Sequence, residues 1–112
     1  MSLVAEQAEF LLHVCLLIDR ATKAGFTVTG GELYRTPEQQ QIHVRAGRSK
    51  TMASNHLRRC AIDLNFFCDG ALCYDLDKLR PLGEFWCSLH PKNDWGGFWR
   101  SFKDAPHFER RP

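Results

Sequence analysis

The chain has 112 residues, 44% of them hydrophobic and 25% charged, with a formal net charge of +2. That length supports one hydrophobic core, so a single domain over 1–112 is expected, and the composition excludes a disordered or fibrous chain. So small a charge gives no reason to expect a nucleic-acid partner. The longest apolar run, Phe10 to Ile18, is broken by His13 and stopped by Asp19 and Arg20, short of the roughly 20 residues that cross a bilayer, so no membrane partner is expected either.

The opening MSLVAEQAEF has no positively charged leader and carries Glu6 and Glu9 where a signal peptide would be apolar. A cytoplasmic protein, held there until something releases it, is the expectation. Residues 3–24 predict a helix, because Leu3, Val4, Ala8, Leu11, Leu12, Cys15, Ile18 and Ala21 recur at three- and four-residue steps before Gly25. FTVTG (26–30) alternates as a half-buried strand does. In TPEQ, Thr36 is placed as N-cap, Pro37 at the first helical position and Gln39 where it closes a capping box, so a short helix is expected to run to about Gly47.

CAIDLNFF (60–67) is rich in strand formers, and Asp69-Gly70 supplies a hairpin turn back through ALCYD. On that strand Cys60, Ile62, Leu64 and Phe66 face one way and Ala61, Asp63 and Asn65 the other, which leaves the Asp63 carboxylate on the polar face. Pro81 reads as a first-turn proline of a helix through Leu89, WGGFW (95–99) as a glycine-centred aromatic turn, and HFE as a last short strand. The five cysteines form no CxxC pair, which argues against a disulfide framework and a thiolate zinc knuckle.

Three polar groups stand out: His56 in the basic segment SNHLRR, Asp63 on the strand it feeds, and His107 in DAPHFE. On one continuous helix His56 and Asp63 would lie roughly 10.5 Å apart along the axis, too far for one ion. A bend of the loop onto the strand brings them together. Two histidines and one carboxylate are a common ligand set for a catalytic zinc with a free fourth position. Asp104, three residues before His107 and held by Pro106 in a rigid turn, is placed to hold and move a proton. The bland alternative is that these are surface or capping residues; His13, His43 and His90 are read as structural.

The same residues resemble a known signature. Ser54, His56, Ala61 and Asp63, followed by Asp104 and His107, match the S-x-H-x-x-G-x-A-x-D and D-x-x-H blocks of the zinc peptidases that include D-alanyl-D-alanine carboxypeptidases and phage L-alanyl-D-glutamate endopeptidases, and YRTPEQQ resembles a third block through Arg35, Thr36 and Gln40. The resemblance spans about 26–109. It implies an α+β fold of the Hedgehog/D-Ala-D-Ala peptidase type, a small antiparallel sheet packed by helices. It further implies Zn2+ held by His56, Asp63 and His107, with Asp104 as general base.

Arg35 would stabilise the oxyanion or hold a substrate carboxylate, unless it is only a surface arginine before a helix cap. Ser54, Gln40 and Trp95 would contact substrate, with Trp99 and Tyr34 also considered for the cleft. The implied activity is zinc-dependent hydrolysis of peptidoglycan stem peptides by a monomer, most closely an L-alanyl-D-glutamate endopeptidase. The alternatives are a D-Ala-D-Ala carboxypeptidase, a non-catalytic wall-binding domain and, from another class, a cysteine hydrolase using Cys60. One position departs from the pattern: Arg59 stands where the family has glycine, which predicts an altered loop path or a guanidinium near the site.

Overall fold

The computed structural model describes residues 2–112. Helix α1 (Leu3–Lys23) opens on Ser2, whose side chain caps Ala5 N–H. Strand β1 (Thr27–Gly30) follows, then α2 (Pro37–Arg45), which carries the expected capping box between Thr36 and Gln39. A tight helical turn, Asn55–Arg58, leads into β2 (Ala61–Cys68), which hairpins through Asp69 and Gly70 into the short β3 (Ala71–Leu72). Helix α3 (Leu76–Leu89), β4 (Asn93–Trp95), a second tight turn (Gly96–Phe98) and β5 (His107–Arg110) complete the chain.

The strands form one antiparallel sheet in the order β1-β2-β5-β4, with β3 paired to the end of β2. Helices α1 and α3 pack on it over a core of Phe10, Val14, Leu17, Leu64, Phe66, Leu79, Leu82, Trp86 and Phe108. Aromatic rings tie the layers edge to face: Trp86 meets Phe10 and Phe108 at centroid distances of 5.6 and 5.9 Å. Among the described residues no helix is long and apolar enough to cross a membrane.

Two expectations about the helices change. In α1 the buried stripe is Phe10, Val14, Leu17 and Ala21, whereas Leu3, Val4, Leu11 and Leu12 are exposed. The helix carries apolar residues on more than one face, and the sheet covers only one of them. In α3 the cap is Asp75, whose carboxylate accepts from Asp77 and Lys78 N–H, so Pro81 lies inside the helix rather than in its first turn. The capping carboxylate and the buried Leu79, Leu82 and Trp86 hold the helix across a proline that lacks its backbone donor.

Candidate metal centre

The register of β2 against β5 sets Asp63 directly opposite His107, and such pairs project from the same face of the sheet. The turn Asn55–Arg58 supplies the third group. Its N-cap, Ser54, accepts from His56 N–H at 3.2 Å, and the Arg35 N–H donates to the His56 carbonyl, also at 3.2 Å. His56 Nε2 and His107 Nδ1 lie 3.5 and 3.4 Å from Asp63 Oδ1. One ligand atom from each of the three residues lies within 4.8 Å of the others.

The outer nitrogens of both rings are occupied. His56 Nδ1 lies 3.0 Å from the Leu33 carbonyl and His107 Nε2 lies 2.6 Å from Glu109 Oε1. With those protons directed outward, the inward nitrogens can present lone pairs, which is how metal-binding histidines are commonly oriented. Asp63 Oδ1 is then left buried without a hydrogen-bond partner. An orphaned buried carboxylate oxygen is costly, and a cation beside it relieves that cost. The donor set therefore fits a divalent metal.

The electrostatics agree. Burial pulls the His107 imidazole down, but the Asp63 and Glu109 carboxylates outweigh it and raise its pKa to about 9. Burial pushes Asp63 up, and the two histidines reverse this and hold it well below the usual carboxylate range. Positive charge is thus favoured between the carboxylates. A proton on His107 supplies it, and so would a metal ion that displaces that proton.

Asp104 Oδ2 lies 4.0 Å from His107 Nδ1, and burial raises the Asp104 pKa. The turn expected at Pro106 is present, closed by His107 N–H donating to the Asp104 carbonyl at 3.1 Å. Gly96 backs onto it: a Cβ there would come within 2.3 Å of the Asp104 carbonyl oxygen, so only glycine permits this approach. Gly31 does the same for Asp63, its N–H donating to the Asp63 carbonyl at 2.7 Å.

A cleft of about 380 Å³ opens over these groups, lined by Arg35, Ser54, His56, Trp99, Asp104 and His107 among others. Arg35 is held by Glu32 and by Gln40, whose Oε1 accepts from Nη1 at 2.6 Å. Two residues expected to contact substrate lie elsewhere. Gln40 is 0% exposed and braces Arg35 from behind, its amide donating to Ser49 and Thr51. Trp95 is 1% exposed, stacked on Phe108 in the core, with its indole N–H on the Ala105 carbonyl at 2.7 Å. Trp99, four residues on, lines the cleft instead, 5.0 Å from the His107 ring.

Cys60 is fully buried, burial pushes its thiol up, and it does not line the cleft. A buried neutral thiol is a packing group, not a nucleophile. The residue missed in the sequence is Glu109. In H-x-E on a strand, period two places positions 107 and 109 on one face, and that was the available signal.

Residues 47–110 match the family described as D-alanyl-D-alanine carboxypeptidase. The chain belongs to this family. It is also similar to the L-alanyl-D-glutamate peptidase of Listeria phage A118, 34% identical over 96 residues that cover 83% of this chain and 34% of the phage protein. The chain thus spans about a third of that relative's length. Its α+β fold is similar to the crystal structure of Serratia marcescens L-Ala D-Glu endopeptidase ChiX, with a TM-score of 0.67 and 27% identity over 85% of this chain and 75% of that one.

Against the family pattern, Arg59 is the departure, and its backbone follows the path a glycine would take. It is left-handed, at φ 55 and ψ 34, and closes the turn that carries His56. Its guanidinium stacks 4.2 Å over Tyr34. A cation–π contact of about 0.5–1 kcal/mol offsets part of the strain of a left-handed non-glycine residue.

Proposed function

We propose that the protein is a zinc-dependent peptidase that hydrolyses the stem peptides of bacterial peptidoglycan, as an L-alanyl-D-glutamate endopeptidase. The observation that carries this reading is the orphaned Asp63 Oδ1 between two imidazoles whose outer nitrogens are already engaged. The names of the phage and Serratia relatives supply the substrate class.

His56 Nε2, Asp63 Oδ1 and His107 Nδ1 would hold the ion. Zinc at such a site polarises a peptide carbonyl and lowers the pKa of water towards neutrality. Asp104, with its proton affinity raised by burial, takes a proton from the attacking water and passes it to the leaving amine. Arg35 reaches the cleft as a fixed, permanently charged fork, braced by Glu32 and Gln40, and stabilises the oxyanion. Ser54 caps the His56 turn and faces substrate from the cleft wall. Trp99 offers an apolar wall.

The test is digestion of purified peptidoglycan with and without a chelator, followed by identification of the new termini. Release of L-Ala carboxyl and D-Glu amine groups, lost on chelation and restored by zinc, is expected. Asp104→Asn should lower kcat by about 10²–10⁴-fold. Free D-Ala as the product would make the chain a carboxypeptidase. Wall binding with no new amino groups would make it a non-catalytic domain.

A further inference from the structure

Glu109 uses both carboxylate oxygens. Oε1 accepts from His107 Nε2 at 2.6 Å, and Oε2 accepts from Asn55 Nδ2 at 2.9 Å. Asn55 is the residue before His56 and fastens the turn at both ends. Its Oδ1 accepts from Arg58 Nη1 at 2.9 Å and its carbonyl accepts from Cys60 N–H at 3.0 Å. One carboxylate, 9% exposed, therefore bridges the strand that carries one histidine and the turn that carries the other.

We infer that Glu109 and Asn55 form a positioning tether that sets the His107 tautomer and fixes the separation of His56 from His107 for metal binding. The inference rests on the zinc reading above. Glu109 lines the cleft as Asp104 does, but its two oxygens are committed to Asn55 and His107, which makes it a positioning residue rather than a second base. Without the carboxylate, His107 can move its proton to Nδ1 and lose the lone pair aimed at the ion. Without the Asn55 arm, the His56 turn loses its link to β5.

Hydrogen-bond polarity provides the test. Asn55→Asp sets carboxylate against carboxylate, and Glu109→Gln sets amide donor against amide donor. Combining the two restores one donor–acceptor pair in the reverse direction, and the oxygen of the introduced amide stays free to accept from His107. Zinc affinity is read by competition with a chromophoric chelator, and the unfolding midpoint is read in excess chelator.

Each single variant should bind zinc about 10–100-fold more weakly while still unfolding cooperatively in chelator, and the double variant should recover most of the lost affinity. Single variants that bind zinc like the parent, or a double variant no better than the worse single, would overturn the tether. A parent that takes up no zinc would overturn the zinc reading and the tether together, whereas a zinc-binding parent with unaffected variants would overturn the tether alone. Should a single variant fail to fold, Asn55→Ala removes the link without adding charge and must still weaken zinc binding.

Discussion

Strand β5 separates two polar clusters built from similar parts. On the helix side Arg110, fully buried, donates to Glu6 Oε2 at 2.7 Å and Asn93 Oδ1 at 2.7 Å, meets Glu9 at 2.8 Å and lies 3.1 Å from His13 Nδ1. On the other side, His107 and Glu109 join His56, Asp63 and Asp104 around the orphaned Asp63 oxygen. Both clusters gather carboxylates and imidazoles. Among the described residues, only in the first does an arginine bond directly to the carboxylates. The difference separates a polar network organised around its own arginine from a candidate metal site: among the described residues, His56, Asp63 and His107 each turn one ligand atom to within 4.8 Å of the others.

The largest expected effect in breaking that contrast comes from Arg110→Met. It removes the fully buried cation from Glu6, Glu9 and Asn93 and should lower the unfolding midpoint in a denaturant titration more than Asp63→Asn, Glu6→Gln or Arg59→Gly does. An unchanged midpoint would mean that the internal cation does not hold the helix-side cluster.

The site side should respond to an added ion instead. Zinc at a hundredfold excess over its dissociation constant should stabilise the parent by about 2.7 kcal/mol, seen as a raised thermal midpoint. Asp63→Asn should lose most of that shift. An equal shift in that variant would move the ion away from Asp63.

Acid sharpens the contrast further. The hydrogen bond from Arg110 holds Glu6 below its ordinary value of 4.5 against the opposing effect of burial. A depressed carboxylate contributes stability that is fully present above the unfolded pKa and is lost as pH falls through the folded one. Stability should therefore decline as pH drops below about 4.5, and Glu6→Gln should flatten the decline. A variant with the parent's slope would place the acid-sensitive group elsewhere.

The smallest effect is expected from Arg59→Gly, which touches neither cluster. Relief of left-handed strain is offset by the lost Tyr34 contact and the greater freedom of glycine in the unfolded chain, so stability should change by less than about 1 kcal/mol. Hydrolysis should match the parent. A large loss would show that the guanidinium takes part in the cleft.

Local chemistry was legible in the sequence where the interaction partners are near in the chain. The capping box of Thr36 and Gln39, the alternation of β2 and the turn at Pro106 are all settled within a few residues. Resemblance to the peptidase signature, not nearness in the chain, singled out His56, Asp63, Asp104 and His107, and the fold brings them together. Period two puts Glu109 on the same face of β5 as His107.

Only the tertiary structure decided what each face meets. Periodicity divides an element into faces but does not choose a face's partner, because that choice depends on contacts between residues far apart in sequence. The register that sets Asp63 opposite His107, the stripe of α1 that the sheet buries and the tryptophan that reaches the cleft are choices of this kind. Gln40 is another, since the same amide could face substrate or brace Arg35 until the fold closes over it. The sequence determined which side chains could serve a metal, and packing determined that they meet at one point while the neighbouring cluster closes on Arg110.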